Sequence, residues 1–327
     1  MLVATNWVNE GLRRELFRYG IKLIQIKDNI LSIGDSFDLV YYARFTPPLI
    51  DPRLITRIQG VRKVVYGLHA PLTIDYPIRP SHFIYNLVMP IQTLTASLRG
   101  FIIHVLNLDD LSGLRSIGIN SIYLPLGTDI SIFKCTHSKA ETFTLIYASR
   151  PSWHKGTDLL VNYILPMIMR KLGNNVRVII TDANYDYMQW IYRRIEGIPN
   201  IELYPHLPIY EYARLLSKSH ILLFPSRYES FGLVVLDALA SGVIPVSFNV
   251  RGFVRDVLLR STLRRFVVEY CDIVSFISKV IQLYTIWRRN EGKYRELIDE
   301  ACRISHKYSW ENIAPLWANI FKMIISD

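Results

Sequence analysis

The sequence predicts an α/β protein of two Rossmann-like, doubly wound domains facing a central cleft. Three observations predict it. Short apolar runs of strand character alternate with amphipathic segments from one end of the chain to the other, the pattern of repeated βα units with parallel sheets. The 327 residues, 50% of them hydrophobic, exceed what one core usually holds. A polar stretch with a single glycine, LGTDISIFKCTHSKAE (126–141), separates two such series and reads as a linker.

In the first series the strands are LVAT (2–5), IKLIQI (21–26), FDLVYYA (37–43), VRKVVYGL (61–68), GFIIHVLN (100–107) and SIYLPL (121–126). The first helix runs from about Asn9 to Tyr19. The second series is TFTLIYAS (142–149), VRVIIT (176–181), IELY (201–204), ILLFPS (221–226), VIPVSF (243–248) and FVVE (266–269). Helical patterns such as TDLLVNYILPMIMRKL and PIYEYARLLSKS lie between them. Neither a heptad run nor a short repeat interrupts this order. Ligands of doubly wound sheets bind beyond the carboxyl ends of the strands, so the chemistry is expected in the loops there.

The formal net charge of +10 suits an anionic partner: nucleic acid, an anionic membrane face, or a phosphorylated small molecule. Cys135, Cys271 and Cys302 are few, odd in number and far apart, which argues against a disulfide framework and offers no C-x-x-C site. A reducing, cytoplasmic setting is the expectation. The start, MLVATNWVNEGLRREL, lacks the basic-then-apolar order of a secretory signal. FIYNLVMPIQTLTASLRGFIIHVL (83–106) is broken by Asn86, Pro90, Gln92, Arg99 and Gly100, so no membrane-spanning helix is expected. On the first helix Arg14 and Arg18 share a face beside Arg13, while Leu12, Leu16 and Tyr19 line another. With the apolar segment from Phe83 to Met89, this could lie on the inner membrane face; an ordinary solvated helix is the alternative.

PSRYESFGLVVLDALASGVIPV (225–246) holds two carboxylates, Glu229 and Asp237, eight positions apart. An Asp inside so apolar a helix must lose its hydration or find a partner. The helix start at Phe231, Gly232 and Leu233 offers backbone amides to a phosphate. Asp237 lies roughly 9 Å further along, at about 1.5 Å per residue. That span suits a nucleotide sugar, with hydroxyls at each carboxylate and the diphosphate between.

This stretch resembles the E-x7-E signature region of the retaining glycosyltransferases of family 4, which have the GT-B fold. Glu229 matches the first acid, which orients the sugar; Asp237 stands where the family has a second Glu at the ribose. LIYASRPSWHKGTDLL (145–160) resembles the family's strand, G-R, loop and K-G, so Arg150 and Lys155 match its two diphosphate-binding cations. His154 reads as a surface loop residue. YLPLGTDISIF resembles the family linker, with Leu126 where Asn is usual. YSWENIAPLWANIF (308–321) resembles the helix that crosses back onto the first domain. IPNIELYPHLPIYEYARLL resembles the nucleobase wall, implicating Pro205, His206 and Leu207. In KVVYGLHAP, His69 falls where the family places a histidine beside the reacting sugar. Gly11 is a weak match to the glycine-rich turn, and Asn107 falls where a donor-binding Ser is usual.

The implied domains are 1–130 on the acceptor side, 131–305 for the nucleotide sugar, and 306–327 for the crossing helix. No D-x-D occurs, and Thr181-Asp182 departs from the family's G-D-G turn. The resemblance therefore implies a metal-independent, retaining hexosyltransferase with no cofactor beyond its nucleoside diphosphate sugar. The favoured acceptor is lipid-linked or membrane-presented, with a nucleic acid as the alternative. A nucleotide-sugar epimerase or other GT-B enzyme, and a non-catalytic nucleotide-sugar-binding protein, are the rival readings.

Overall fold

The computed structural model describes residues 1–26, 37–44, 63–182 and 185–326. The chain divides into two compact units. Met1–Gly127, Glu229–Phe231 and Tyr308–Asp327 make up the first; Thr128–Tyr228 and Gly232–Lys307 make up the second. The twelve predicted strands are all present, most of them shorter than the apolar runs that announced them. Residues 61–62, the start of the fourth predicted strand, lie outside the described residues.

In the first unit β1 (Leu2–Thr5), β2 (Lys22–Gln25), β3 (Leu39–Arg44), β4 (Val64–Leu68), β5 (Ile102–Val105) and β6 (Ser121–Tyr123) form a six-stranded sheet in the order β2-β1-β3-β4-β5-β6. Every pairing is parallel. The first helix, Glu10–Arg18, begins where Asn9 accepts the Leu12 N–H and ends at Tyr19, as its sequence predicts. The helix Trp310–Ser326 belongs to this unit: Trp317 Nε1 donates to the Pro125 carbonyl at 3.0 Å. Trp310 packs against Gly11 and Gly127, and a Cβ at Gly11 would come within 2.2 Å of the indole. Gly11 is thus explained by helix packing, and it stands inside the first turn of a helix rather than in a turn ahead of one.

The second unit's strands are β7 (Phe143–Ala148), β8 (Val176–Thr181), β9 (Ile201–Leu203), β10 (Ile221–Phe224), β11 (Ile244–Phe248) and β12 (Val267–Val268). Their order, β12-β11-β10-β7-β8-β9, reverses direction between β7 and β10. That reversal leaves a crevice at the carboxyl ends of those two strands, where doubly wound sheets bind ligands. The predicted helix after β7 is interrupted. Thr157–Leu159 and Leu165–Leu172 are α-helical, and Leu160–Ile164 is a π turn just before Pro166, whose ring and missing N–H disturb a regular ladder.

Two expectations need correction. Cys135 and Cys302 are joined by a disulfide, with Cα atoms 5.8 Å apart. The fold returns the helix Glu291–Lys307 to the start of the second unit, a proximity hidden by a sequence separation of 167. The cysteine argument for a reducing setting therefore lapses. The basic face of the first helix is also less bare than expected: Arg18 and Arg14 both reach the buried Glu15, at 2.8 and 3.1 Å, and Arg13 reaches Glu10.

Candidate functional site

The β7 strand ends at Ala148, and the loop that follows lines a cleft of about 680 Å³ with Arg150, Ser152, His154 and Lys155 on one side and Asp182 and His206 on another. Local chemistry fixes this loop. Gly156 takes φ +70°, and a Cβ there would strike the Pro225 carbonyl oxygen at 2.0 Å, so only glycine lets the loop lie against the end of β10. Thr157 Oγ1 accepts the Ser152 N–H at 2.9 Å and shares a 2.7 Å hydrogen bond with the Tyr147 hydroxyl. Arg227, from the loop after β10, forks onto the Asp158 carboxylate at 2.7 and 2.8 Å and stacks over Trp153 at 4.2 Å. Its backbone N–H donates to the His154 carbonyl at 2.7 Å. The two loops flanking the sheet's reversal point are thereby locked together, and Arg150 and Lys155 are carried on a stiff frame. A rigid cationic rim in a cleft stabilises a phosphate charge without reorganising when that charge grows.

Asp237 occupies the helix Leu233–Ala240, whose other residues from Val235 to Ala240 are all buried and apolar. Its partner is Thr128, whose hydroxyl donates to Oδ1 at 2.6 Å. One neutral donor does not replace lost hydration. Burial pushes the carboxyl up to about 7, opposed by the Thr128 hydrogen bond and aided by the charge of Asp129. The Tyr212 hydroxyl nearby is buried with no hydrogen-bond partner, and burial, Asp237 and Asp182 together raise its pKa. A buried acid with one partner and a buried hydroxyl with none are polar groups suited to a ligand's hydroxyls.

Gly232, at φ +89°, caps the helix Leu233–Ala240, at the start predicted near Phe231 and Gly232. The preceding tip, Glu229–Phe231, clusters with the first unit. There the Ser230 hydroxyl donates to the His69 carbonyl at 2.7 Å, and the Ser230 carbonyl accepts from Asn107 Nδ2 at 3.1 Å. Glu229 itself is buried. Asn107 is fully buried; its Oδ1 caps the helix Leu108–Ser116, and its Nδ2 also donates to Asp110. With its oxygen accepting from Asp110 N–H and its amide donating to Asp110 and Ser230, Asn107 ties the tip to the start of the helix Leu108–Ser116.

His69 heads a buried chain of hydrogen bonds. Its Nε2 meets the Tyr41 hydroxyl at 2.8 Å, which meets His104 Nδ1 at 2.8 Å, and His104 Nε2 meets the Leu124 carbonyl at 2.9 Å. A carbonyl only accepts, so His104 carries its proton on Nε2; Tyr41 then donates to Nδ1, and His69 donates to Tyr41. Burial keeps both imidazoles neutral, pulling His104 down to about 4 and His69 well below its ordinary range. Gly67 makes the link possible: it pairs with His104 across β4 and β5, and a Cβ there would come within 2.4 Å of the Tyr41 oxygen. Trp7 packs on His69 at 4.6 Å between ring centres.

Of the predicted residues, the structure gathers Arg150, Lys155 and His206 around one cleft. His206 Nδ1 lies 2.6 Å from Asp182 Oδ1, while Pro205 is exposed and Leu207 half-buried beside it. Asp182 adopts φ +67°, a left-handed conformation that a short polar side chain tolerates. His154, a half-buried loop residue, also lines the cleft, stacked on Tyr228 at 5.3 Å. Thr128, Arg227, Tyr41 and His104 were not singled out in the sequence. Arg227, a cation between two apolar runs, carried a signal; the others carried none.

Residues 142–285 match the family model described as glycosyl transferases group 1. A 41.2 kDa protein from the cps region of Klebsiella pneumoniae is 28% identical over 195 residues, which are 58% of this chain and 50% of that protein. The capsular polysaccharide biosynthesis glycosyltransferase CapM of Staphylococcus aureus is 25% identical over 195 residues, 56% of this chain and 47% of that one. The chain thus spans half or less of the length of these curated relatives. Sucrose-phosphate synthase from Thermosynechococcus elongatus superposes with a TM-score of 0.77 at 14% identity, over 100% of this chain and 99% of that one. Anabaena HepE, solved with UDP-glucose, gives 0.70 at 16% identity, over 98% and 91%. The chain has the GT-B fold. Its two six-stranded parallel sheets are those of this fold, and the family match, apart from Glu229–Phe231, falls within the second unit, which carries the Arg150 and Lys155 cleft.

Proposed function

We propose that this chain is a retaining, metal-independent glycosyltransferase of family 4 that moves a sugar from a nucleoside diphosphate sugar to an acceptor hydroxyl. The observation that carries the reading is the cleft at the carboxyl end of β7, where Arg150 and Lys155 are held on an interlocked loop within the segment matching the glycosyltransferase model. In this reading the two cations bind the diphosphate and take the charge that develops as the C1–oxygen bond breaks. The acceptor oxygen bonds C1 on the same face, and its proton passes to the departing diphosphate. Asp237 accepts the ribose hydroxyls, whose hydrogen bonds favour its ionised form. Glu229 orients the sugar, and His69, held neutral by burial and fixed by the Tyr41 hydrogen bond, serves it near the reacting carbon. His206 with Pro205 and Leu207 borders the base; the amides of Phe231, Gly232 and Leu233 face the diphosphate.

The solved complex of HepE with UDP-glucose supports starting the donor search with uridine diphosphate sugars. The acceptor we favour is presented at a membrane. Thermal unfolding with a panel of nucleotide sugars tests donor binding, because a ligand at 100 times its dissociation constant adds about 2.7 kcal/mol. A stabilising donor is then incubated with acceptors in excess chelator. Acceptor-dependent release of the nucleoside diphosphate with an α-linked product from an α-linked donor is expected. An inverted product, dependence on added magnesium, or conversion of the donor without an acceptor overturns the reading, the last in favour of an epimerase.

A further inference from the structure

The helix Pro80–Leu98 of the first unit is packed inside out. Its buried side chains are His82, Met89, Gln92, Thr93 and Ala96, three of them polar. Six of its large apolar side chains, Phe83, Ile84, Leu87, Ile91, Leu94 and Leu98, face outward, 44% to 80% exposed, while Met89 packs into the core. With 3.6 residues per turn these six fall within an arc of about 100°, and Phe83 to Leu98 covers about 22 Å of helix axis. A surface helix of a globular domain does the reverse, turning its apolar stripe to the core. A continuous exposed apolar file of this kind marks a surface that something else covers.

Charge indicates what covers it. From Tyr76 to Leu108 the sequence contains no Asp or Glu, and Arg79 and Arg99 stand at the two ends of the helix. The chain as a whole carries +10. We propose that the outer face of this helix docks on an anionic lipid bilayer, with the helix axis in the membrane plane. The apolar arc enters the boundary between headgroups and acyl chains, and the flanking arginines lie at the level of the phosphates. Such docking needs no spanning segment, and among the described residues no helix is long and apolar enough to cross a membrane. A second copy of the chain is a poorer occupant, because six side chains in one file fall short of the roughly 20–30 residues per side of a stable protein interface. The inference goes beyond glycosyl transfer: it concerns where the first unit is held and stands without turnover.

The test floats the full chain through a density gradient with vesicles of phosphatidylcholine alone and of phosphatidylcholine mixed with phosphatidylglycerol, beside a Leu87→Glu/Ile91→Glu double variant. The wild-type chain is expected to rise with the anionic vesicles, more weakly with the neutral ones, and less at high salt. The double variant is expected to bind at least tenfold more weakly while keeping the wild-type thermal midpoint, since both side chains face water. If that midpoint moves, Leu87→Ser with Ile91→Ser repeats the comparison. A wild-type chain that stays at the bottom with both vesicles, or a double variant that floats as well as wild type, overturns the proposal. So does a dimer seen by light scattering that the double variant abolishes while no vesicle is bound. Donor-induced thermal stabilisation of the same samples reports separately on the second unit, so failure of docking and failure of the proposed function can be told apart.

Discussion

Two apolar helices of this chain treat their side chains in opposite ways. Leu233–Ala240 buries everything from Val235 onward, a carboxylate included, whereas Pro80–Leu98 buries His82, Gln92 and Thr93 beside Met89 and Ala96 and turns six large apolar residues out. Composition alone makes both look like core. The difference teaches that polarity at a helix matters by placement: one helix keeps a charge where water cannot reach it, the other keeps apolar surface where only water is on hand. Both arrangements cost stability in isolation, and each points to a molecule that relieves the cost.

The largest expected effect tests the buried charge. Asp237 is pushed from 3.8 up to about 7 in the folded chain, chiefly by burial. The folded state therefore holds more protons than the unfolded one between these values, and stability must fall as pH rises through that window. The full difference is on the order of 4 kcal/mol. Urea midpoints of the donor-free chain at pH 5 and pH 8 check this. The wild type should lose stability across the interval and Asp237→Asn should not, while the variant binds donor more weakly. Equal pH dependence in both chains would remove Asp237 as the source and weaken the contrast between the helices.

Next in size is a buried group in the first unit. Tyr41→Phe leaves His104 Nδ1 without its donor and the His69 N–H without its acceptor. An unsatisfied buried group costs about 1–3 kcal/mol, so the urea midpoint should fall accordingly. If His69 serves the sugar, kcat should fall as well, since its ring is no longer fixed in one tautomer. A variant with unchanged stability would show that the relay is not formed in solution.

How much of this could be read beforehand follows from the range of the forces involved. The strand series, the span of the first helix and the glycine at the start of Leu233–Ala240 are local, and the sequence discloses them. Arg150 and Lys155 were singled out by their resemblance to a family motif, and Asp237 by the charge it places inside an apolar helix. The Cys135–Cys302 bond, Thr128 as the partner of Asp237, and Tyr41 reaching His104 over Gly67 join residues 167, 109 and 63 positions apart, and no periodicity encodes such meetings. The inside-out helix was half legible. Its interruptions ruled out a span, but which residues face the sheet depends on Arg44, buried and within 3.5 Å of Gln92.

A smaller effect sharpens the functional side. Lys155→Ala and Glu229→Ala should each lower turnover at least tenfold, about 1.4 kcal/mol of barrier. The Lys155 variant should keep its thermal midpoint, because that side chain is on a loop around the cleft. Near-wild-type kcat in either would detach the cationic rim or the tip from the chemistry, leaving the second unit as a binding module.

The smallest expected effect, that of Leu87→Ala, is the most direct test of the contrast between the helices when it is set beside a core substitution. Leu236→Ala, in the fully buried helix, opens a cavity and should cost about 2–5 kcal/mol. Leu87→Ala, on the outward arc, should change the urea midpoint by no more than ~0.5 kcal/mol, because its side chain leaves water in neither state. The same substitution should still weaken vesicle binding, since about 0.8 kcal/mol is lost for each methylene no longer inserted. A large destabilisation by Leu87→Ala in lipid-free solution would mean that the arc is packed against protein, and the outward face would then belong to the core rather than to a membrane.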